Sequence, residues 1–492
     1  MSAQQPHSAT SEPKAGAATK APASARVRVE PSMRFAVTVP LAIIGAGACG
    51  VTAALAARAG GIEPLVLERD PLPRGSTAMS SGFVPAPGSR AQRARGIDDS
   101  PARFMADVQA KAAGRADPVL AQAYADAAGP AIDWLSDAHG VPFDLLEGFL
   151  YPGHSVARMH AVPERTGEAL LGRLWRAAEA DGIALMTDAA VVELVTDGYG
   201  TILGLVAERP DGSREAIGTQ AVLLACNGYG GDPSLVARWI PALAGARYFG
   251  HAGNRGDAVR WGESLGAGLA DLSACQGHGS LAEPHGILIT WALMTEGGVQ
   301  VDAEGRRFWN EHEGYSEAAL AVLARPGNVA WDVYDARLHA LGMTFPDYRQ
   351  AYEAGAVREG RDAAALAAAT GLPAAALEAT LAEIDALGRQ GATDRFGRRF
   401  DAPRRLAPPY FAVKVTGALF HTQGGLTVDA RMRVLRRNGR PLPNLWAAGG
   451  AARGVSGDAL SGYLSGNGLL SAIAGGWLAG NAAAAASSAS GI

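Results

Sequence analysis

A glycine-rich turn and an acidic residue that follows it have the types and spacing of a dinucleotide-binding site. The hexapeptide Gly45-Ala46-Gly47-Ala48-Cys49-Gly50 has the G-x-G-x-x-G pattern. In this pattern the first glycine allows the bend, the second lets the backbone approach a pyrophosphate, and the third lets a helix pack on a strand. Glu68 lies 18 residues beyond Gly50, close to the spacing of an acidic ribose ligand. The turn and the carboxylate together predict a dinucleotide site, with the phosphates at a helix N-terminus.

Neither motif is specific by itself. The chain contains 63 glycines, so the hexapeptide could arise by chance, and Glu68 could be an ordinary solvated charge at the end of a strand. The surrounding pattern favours the functional interpretation, because 35–44 and 64–67 are apolar and predict strands, while 51–59 predicts a helix. These elements make a complete βαβ unit.

A second glycine-containing loop follows the βαβ unit at 75–82. Its small side chains and hydroxyl groups suit the close passage of a flavin and its ribityl-phosphate arm. A plain solvated loop is the alternative. We predict that the following residues of the loop line a cofactor site: Gly75, Ser76, Thr77, Ser80, Ser81 and Gly82.

The remaining pattern divides the chain into two domains. Helices are predicted at 101–111, 118–139, 165–180, 362–387 and 469–479, a β-hairpin at 189–195 and 201–208, and further strands at 221–225, 426–429, 433–435 and 445–448. From about 280 to 408 the chain changes character, with clustered aromatic residues ahead of an Ala-rich stretch. We predict an α/β fold in which a discontinuous domain, 35–279 and 409–492, carries an inserted α+β domain at 280–408.

Length and composition limit the classes of protein that the chain can belong to. Its 492 residues suggest more than one domain, and its 48% hydrophobic content allows well-filled cores. The formal net charge of -4 indicates no polyanion-binding surface, so nucleic acid is not an expected partner. Cys49, Cys226 and Cys275 are widely spaced and form no metal-ligand pattern, which favours a reducing compartment and a cytoplasmic location.

The N-terminal segment 1–34 is rich in small and polar residues and is predicted to be a disordered leader. The first apolar run continues into the glycine turn and not into a cleavage site, so we expect no signal peptide. Because no run of about 18 apolar residues is free of glycine, we also expect no transmembrane segment.

Six motifs follow one another along the chain, at 45–68, 75–82, 253–257, 302–311, 421–425 and 445–450. Together they resemble the fumarate reductase and ketosteroid dehydrogenase family of flavoproteins, and the similarity runs from about residue 38 to 482. The resemblance implies a Rossmann-like FAD-binding domain with an inserted cap domain, and an active site between the two. This agrees with the division of domains given above.

The resemblance implies FAD as the cofactor. Some relatives attach FAD covalently through a histidine next to the 75–82 loop, but the matching position here is Ser76, so we expect noncovalent binding. Besides the loop, the cofactor site is expected to include Gly45, Gly47, Ala48, Cys49, Gly50, Glu68, Arg69, Val191, Ala225, Cys226, Asn227, Gly228, Asn254, Asp257, Gly449, Gly450, Gly468, Leu469 and Leu470.

Two subgroups of this family place different groups at the same positions. Fumarate reductases have an arginine acid after the Asn-Glu pair of the cap, and a second arginine before the last glycine run that clamps a substrate carboxylate. The matching positions here are Tyr315 and Tyr463, and a further acidic residue of the proton path would fall near Trp291. Tyrosines at both positions are similar to ketosteroid dehydrogenases, which remove two hydrogens next to a ring ketone. The resemblance is therefore nearer to the ketone dehydrogenase branch.

The tyrosines suggest specific roles in such chemistry. A phenol that donates a hydrogen bond to the ketone oxygen stabilises the developing enolate by about 2.7–4 kcal/mol. We predict this role for Tyr463, with a backbone N–H near Asn467 as a second donor. Tyr315 can accept the α-proton, while flavin N5 takes a hydride from the β-carbon, if its surroundings lower its pKa from about 10. Ser465 is expected to orient or relay protons. Packing is the alternative role for each of these side chains.

Residues around the tyrosines suggest a second polar group on the substrate. The position of His421 in fumarate reductases holds a histidine that contacts a substrate carboxylate, so we predict a carboxylate site at His421 and Thr422. Arg158 is predicted to help hold an anion, and Trp291 to line the substrate site. A structural histidine and a solvated arginine are the alternatives.

An alicyclic oxo acid such as 4-oxocyclohexanecarboxylate carries both a ketone and a carboxylate, and a 3-oxosteroid fits nearly as well. The sequence therefore predicts FAD-dependent α,β-dehydrogenation of a cyclic ketone. The electron acceptor stays open between O2, a quinone and a redox protein. The alternative functions are fumarate reductase-like reduction of an unsaturated carboxylate and a non-catalytic electron-transfer role.

Overall fold

The computed structural model describes residues 25–148 and 150–489. Its strands are β1 (Arg26–Val29), β2 (Thr38–Ile44), β3 (Pro64–Leu67), β4 (Val84–Pro85), β5 (Asp144–Leu145), β6 (Met159–Ala161), β7 (Ala184–Met186), β8 (Ala190–Thr196), β9 (Ile202–Glu208), β10 (Arg214–Leu224), β11 (Arg247–Tyr248), β12 (Leu269–Ala270), β13 (Cys275–Ala282), β14 (Ile287–Leu288), β15 (Val299–Val301), β16 (Val329–Asp335), β17 (Val357–Gly360), β18 (Tyr410–Thr422), β19 (Gly425–Leu426), β20 (Arg433–Leu435) and β21 (Pro441–Ala447). Its helices are α1 (Ala48–Ala59), α2 (Gly75–Ala78), α3 (Arg90–Ala94), α4 (Pro101–Lys111), α5 (Pro118–His139), α6 (Gly167–Ala180), α7 (Pro233–Trp239), α8 (Asp257–Ser264), α9 (Ala292–Thr295), α10 (Tyr315–Leu323), α11 (Ala336–Gly342), α12 (Pro346–Glu353), α13 (Ala363–Thr370), α14 (Ala374–Gln390) and α15 (Asn467–Ala489).

The first sheet has the order β1-β8-β9-β10-β2-β3-β7, with β21 and β20 joined to it at β10. β2 lies between two parallel neighbours, with Ile44 opposite Leu224 on β10 and Leu67 on β3. Its apolar sequence suits a strand that is covered on both faces. Because β2, β3, β10 and β21 are parallel, the segments that follow them meet at one edge of the sheet. The predicted α/β class and the βαβ unit are confirmed.

Helix α15 packs on α1 through small residues. A Cβ at Gly476 would lie 2.5 Å from the carbonyl oxygen of Cys49, and one at Gly480 would lie 2.3 Å from that of Ala53. Within the described ranges, α15 over Asn467–Ser487 is also long and apolar enough to cross a membrane, although 56% of an 18-residue window of this stretch is buried in the protein. Packing against α1 accounts for its apolar composition, and the absence of a transmembrane segment stays a prediction.

The second sheet has the order β14-β13-β18-β16-β15, and β11 and β17 also pair with β18. Its strands β13 and β18 extend beyond the predicted limits of 280 and 408, and β11 lies earlier still. The inserted unit therefore shares these strands with the segments that we assigned to the first domain. We keep the two-domain division as a proposal, with the boundaries of the second unit moved outward.

Two local predictions were wrong. Residues 26–29 form β1, which pairs with β8 and places Arg28 Nε 2.7 Å from the Glu193 carboxylate, so this part of the predicted leader is ordered. Residues 1–24 lie outside the described residues. The helix predicted at 362–387 is instead two helices, because Gly371 takes a φ of +78° after α13 and Pro373 follows it.

Candidate active site

A cavity of about 720 Å³ joins the edge of the first sheet to the second sheet, and its size is typical of small-molecule sites. Most of the predicted cofactor residues line it: Gly45, Gly47, Ala48, Cys49, Glu68, Arg69, Gly75, Ser76, Thr77, Ser80, Ser81, Gly82, Val191, Ala225, Cys226, Asn227, Asn254, Gly449, Gly450, Gly468 and Leu469. Five residues predicted for chemistry or substrate binding also line it: Tyr315, Tyr463, Ser465, His421 and Trp291. The fold thus brings both sets to one space.

The turn after β2 has the backbone shape that close approach of a pyrophosphate requires. Gly45 has a φ of +109°, and a Cβ there would lie 2.5 Å from the carbonyl oxygen of Ala225. A Cβ at Gly50 would lie 1.9 Å from the carbonyl oxygen of Gly45, so only glycine fits where α1 packs on β2. Glu68 accepts the N–H of Ala46 at 2.9 Å, which fixes its carboxylate at the cavity wall. This groove at a helix N-terminus fits the pyrophosphate and ribose of a dinucleotide.

The N-terminus of α15 forms another part of the same groove. Gly468 and Leu469 lie in its first turn, where backbone N–H groups have no acceptor within a helix. Gly449 and Gly450 follow β21, and a Cβ at Gly450 would lie 2.1 Å from Oδ1 of Asn227. Donors at a helix N-terminus suit the carbonyl oxygens of a flavin ring. The glycine turn and this helix end therefore both fit FAD.

Some predicted ligands lie behind the wall instead of on it, namely Gly50, Gly228, Asp257, Leu470 and Thr422. Asp257 pairs with Arg69 at 2.5 Å and so holds a residue that does line the cavity. A Cβ at Gly228 would lie 1.9 Å from Oγ1 of Thr422, whose hydroxyl accepts the N–H of Tyr229 at 3.3 Å. Thr422 is 1% exposed, so the prediction that it binds a substrate carboxylate is wrong.

Arg158 and Asn467 do not line the cavity, which corrects two further predictions. The guanidinium of Arg158 is fully buried, with Asp99 at 3.0 Å and Asp107 also in contact. Two carboxylates already pair with it, so Arg158 is not available to a substrate anion. The backbone N–H of Asn467 donates to the carbonyl oxygen of Leu464 at 3.1 Å. The N–H of Asn467 itself is therefore not free for a ketone, whereas the N–H groups of its neighbours Gly466 and Gly468 lie beside the Tyr463 oxygen.

The structure places the two predicted tyrosines side by side. Tyr315 begins α10, Tyr463 lies in the turn before α15, and their ring centres are 6.1 Å apart at an angle of 62°. Burial raises the pKa of Tyr463 to about 12, and hydrogen bonds from the backbone N–H groups of Gly468 and Gly466 and from Tyr315 oppose this rise. The Tyr463 oxygen thus lies among several donors and is shielded from water. With its oxygen held by these donors, Tyr463 can give its own hydrogen to a ligand oxygen, and a donor in such a place stabilises a developing oxyanion.

Tyr315 has a different environment. Burial raises its pKa well above the usual value of 10, Tyr463 raises it further, and a hydrogen bond with Ser465 lowers it. The condition that the surroundings lower this pKa is therefore not met by the protein groups alone. The carbonyl oxygen of Ser465 lies 3.0 Å from Nε2 of His154, which fixes the backbone beside the tyrosines.

Sequence reasoning missed several residues at the tyrosine pair. His278 stacks on Tyr315 at 5.0 Å and on Phe420 at 5.2 Å, and burial lowers its pKa to about 3. Its Nδ1 accepts the N–H of Ser280 at 3.1 Å, so the ring hydrogen lies on Nε2. Tyr151 also lines the cavity. A lone histidine or tyrosine has no local pattern that separates it from a packing residue, so no sequence signal pointed to them.

His421 lies beside Tyr463 as a neutral group. The two ring centres are 5.5 Å apart, and burial lowers the pKa of His421 to about 4. Its Nδ1 is 3.1 Å from the amide nitrogen of Gln423, while its Nε2 would lie 2.8 Å from a Cβ at Gly468. At neutral pH the ring can make a hydrogen bond to a ligand but offers no positive charge.

Cationic side chains are scarce around the cavity. Among its described lining residues, the arginines are Arg69 and Arg165, and there is no lysine. Arg69 is paired with Asp257, and Arg165 precedes Thr166, next to the 75–82 loop. The indole nitrogen of Trp291 is buried without a partner in the described ranges, so the carbon surface of this residue faces the cavity. In the described part of the wall, the two positions that hold arginines in fumarate reductases are Tyr315 and Tyr463.

Comparisons with known proteins give relatives from both subgroups. The probable fumarate reductase Ifc3 of Shewanella frigidimarina is 28% identical over 453 residues, which cover 91% of this chain and 75% of the relative. The 4-oxocyclohexanecarboxylate 2-dehydrogenase of Sinomonas cyclohexanicum is 25% identical, with 84% of this chain and 88% of the relative covered.

Solved structures show the same two similarities. The open conformation of a flavocytochrome c3 fumarate reductase has a TM-score of 0.78 at 27% identity, with 92% of this chain and 79% of the other covered. The 3-ketosteroid-Δ4-(5α)-dehydrogenase from Rhodococcus jostii RHA1 has a TM-score of 0.75 at 26% identity, with 93% and 99% covered. The profile of the FAD_binding_2 family, described as an FAD binding domain, matches residues 41–469. The predicted family and cofactor are confirmed, and the chain belongs to this FAD-binding family of oxidoreductases that act on carbon–carbon bonds.

Proposed function

We propose that the protein catalyses FAD-dependent α,β-dehydrogenation of a cyclic ketone. The observation that carries the proposal is the pair of phenols in the cavity wall, Tyr315 and Tyr463, whose ring centres lie 6.1 Å apart. These donors are uncharged, and in a site shielded from water they favour an oxygen that gains negative charge during the reaction. The oxygen of a ketone gains negative charge in this way when the α-carbon loses a proton.

Tyr463 donates its hydroxyl hydrogen to the ketone oxygen and so polarises the carbonyl group. This makes the hydrogen on the α-carbon more acidic, because the enolate charge moves to that oxygen. Bound FAD supplies a two-electron acceptor for the hydride that leaves the β-carbon. The products are the α,β-unsaturated ketone and reduced flavin, which a separate acceptor must reoxidise: O2, a quinone or a redox protein.

Tyr315 accepts the α-proton. Because burial keeps its own proton bound at neutral pH, the phenol must pass that proton to a neighbour as it takes up the one from the substrate. Ser465 and Tyr463 both interact with Tyr315 and are the available neighbours. We therefore propose that this proton moves through the hydroxyl groups of Tyr463 and Ser465, each of which releases its own proton as it takes one up, so that one proton leaves to solvent for each α-proton removed.

Two substrate classes fit the proposal. The similarity to a 4-oxocyclohexanecarboxylate 2-dehydrogenase supports an alicyclic oxo acid, whose second oxygen group would lie near His421. The similarity to a 3-ketosteroid dehydrogenase supports a 3-oxosteroid, and the apolar wall at Phe420 and Trp291 suits it. We propose noncovalent FAD, because Ser76 stands at the position of the linking histidine, and a cytoplasmic location, in agreement with the free thiols of Cys49, Cys226 and Cys275.

A fumarate reductase-like reaction is the second candidate, since relatives of that class are similar over most of the chain. It would need cationic groups to clamp a dicarboxylate and deliver a proton. Arg69 and Arg165, the arginines of the described wall, belong to segments next to the cofactor groove and not to the elements of the tyrosine pair. The charge distribution therefore favours the ketone reaction.

Anaerobic titration of the FAD-loaded protein separates the two candidates. Saturated cyclohexanones or 3-oxosteroids are added to the oxidised protein, and fumarate or an aromatic acrylate is added to the reduced protein. We expect ketones to bleach the flavin band without any nicotinamide. Rapid reoxidation of reduced flavin by an unsaturated acid, with no bleaching by any ketone, would replace the proposed function with the second candidate.

A further inference from the structure

A chain of buried polar side chains lies behind His421. Nδ2 of Asn467 donates to Oγ of Ser456 at 3.0 Å, and this hydroxyl donates to Oε1 of Gln423 at 3.1 Å. Nε2 of Gln423 lies 3.1 Å from Nδ1 of His421. Asn467, Ser456 and Gln423 are 0%, 1% and 3% exposed, so water does not compete for these bonds.

These hydrogen bonds all run in one direction, from Asn467 towards His421, because each bond has one donor. An amide nitrogen only donates, so the Ser456 oxygen accepts from Asn467 and its single hydrogen goes to Oε1 of Gln423. The Gln423 amide then presents its nitrogen to His421. Nδ1 of His421 must accept that bond and so carries no hydrogen, whereas the carbonyl oxygen of Thr422, 3.4 Å from the same nitrogen, would be its acceptor in the other tautomer. Because the ring is neutral, its one hydrogen lies on Nε2, next to Gly468.

We propose that Gln423 is a positioning residue that holds His421 as the Nε2–H tautomer, so that a neutral donor faces a ligand oxygen in the cavity. The tautomer follows from the amide orientation that these bonds assign to Gln423, whereas the presence of a substrate oxygen at this donor rests on the proposed function. A neutral N–H binds carboxylate, ester and ketone oxygens alike, although it binds the charged acceptor more strongly. His421 would thus bind a second oxygen group of the substrate, whether that group is charged or neutral.

The tautomer can be measured directly by NMR on FAD-loaded protein labelled with ¹⁵N-histidine. The chain has 10 histidines, and the signals of His421 are assigned as those lost in His421→Gln. We expect a protonated Nε2 and an unprotonated Nδ1 in the wild type. In Gln423→Glu a carboxylate oxygen replaces the donor, so the hydrogen should move to Nδ1 or the ring should become fully protonated.

Gln350→Glu is the matched control, because it adds the same charge at an exposed position of the cavity wall, away from Nδ1 of His421. It should leave the His421 signals unchanged. A wild-type spectrum with the hydrogen on Nδ1 would overturn the proposal, and that spectrum decides the matter even if Gln423→Glu does not fold. Unchanged His421 signals in a folded Gln423→Glu would also overturn it. If the tautomer is as expected but no ketone bleaches the flavin, the proposed function fails and the positioning role stands.

Discussion

Replacing Tyr463 by phenylalanine should lower kcat about a hundredfold and leave FAD binding intact. The change removes one oxygen and keeps the ring that packs against His421. The loss of one donor to an oxyanion costs about 2.7–4 kcal/mol. We expect the lower limit, because the N–H groups of Gly466 and Gly468 remain near the same place. At about 1.36 kcal/mol for each tenfold change in rate, this corresponds to about 100-fold.

The assay is steady-state turnover of a cyclic ketone with an artificial electron acceptor, together with the FAD content of each variant. Tyr334→Phe is the control, because Tyr334 is also buried but bonds to Tyr348 at 2.7 Å and does not line the cavity. The control should lose about 1 kcal/mol of stability and keep its kcat. A kcat for Tyr463→Phe near that of the wild type, or an equal loss in both variants, would refute the role of this phenol.

Further outcomes follow from the same geometry. Tyr315→Phe should retain FAD and lose more than about 100-fold in turnover, as expected for removal of a proton acceptor, and undiminished turnover would retire that role. His421→Ala should raise KM for an oxo acid about tenfold more than for its ester, because the bond to a charged acceptor is the stronger one, and equal effects would speak against a carboxylate at this residue. Burial lowers the pKa of His278 to about 3 from 6.5, so below pH 6.5 the unfolded chain takes up a proton that the folded protein does not. His278 should therefore contribute about 2 kcal/mol to the fall in the free energy of unfolding between pH 7 and pH 5, so the fall should be smaller by about that amount in His278→Gln, and an equal fall in both proteins would exclude this contribution. Acid precipitation should release all of the flavin, and flavin retained by the pellet would contradict noncovalent binding at Ser76.

The parts of the fold that depend on local sequence could be predicted. The strand, glycine turn and helix at 38–59 follow one another in the chain. The positive φ and the close backbone contact that this turn requires are met by Gly45 and Gly50. β1 was missed because its partner β8 lies far along the chain, and an isolated four-residue segment has no pattern of its own. The break between α13 and α14 could have been predicted, because Gly371 and Pro373 stand in a stretch that otherwise favours helix.

The cofactor part of the candidate site could be predicted from the glycine turn and Glu68, whereas the substrate part could be predicted only where a family resemblance supplied positions. It indicated Tyr315 and Tyr463, which the structure places side by side. The residues around Arg158 give no sign that it pairs with Asp99 and Asp107, which lie in a distant loop and helix. The prediction of an anion ligand was therefore wrong, because Arg158 belongs to a buried ion pair. The bond between Gln423 and His421 is local, but its direction depends on Ser456 and Asn467, which only tertiary packing brings near.

Flavin bleaching with deuterated ketones is the most direct test of the claim that this site removes a proton and a hydride from neighbouring carbons. FAD-loaded protein is mixed anaerobically with a cyclic ketone that carries deuterium at the β-carbon, and the rate of bleaching is compared with that of the unlabelled ketone. We predict slower bleaching with the deuterated ketone, and loss of bleaching with either ketone in Tyr315→Phe. Equal rates for the two ketones, or bleaching that survives unchanged in Tyr315→Phe, would contradict the account.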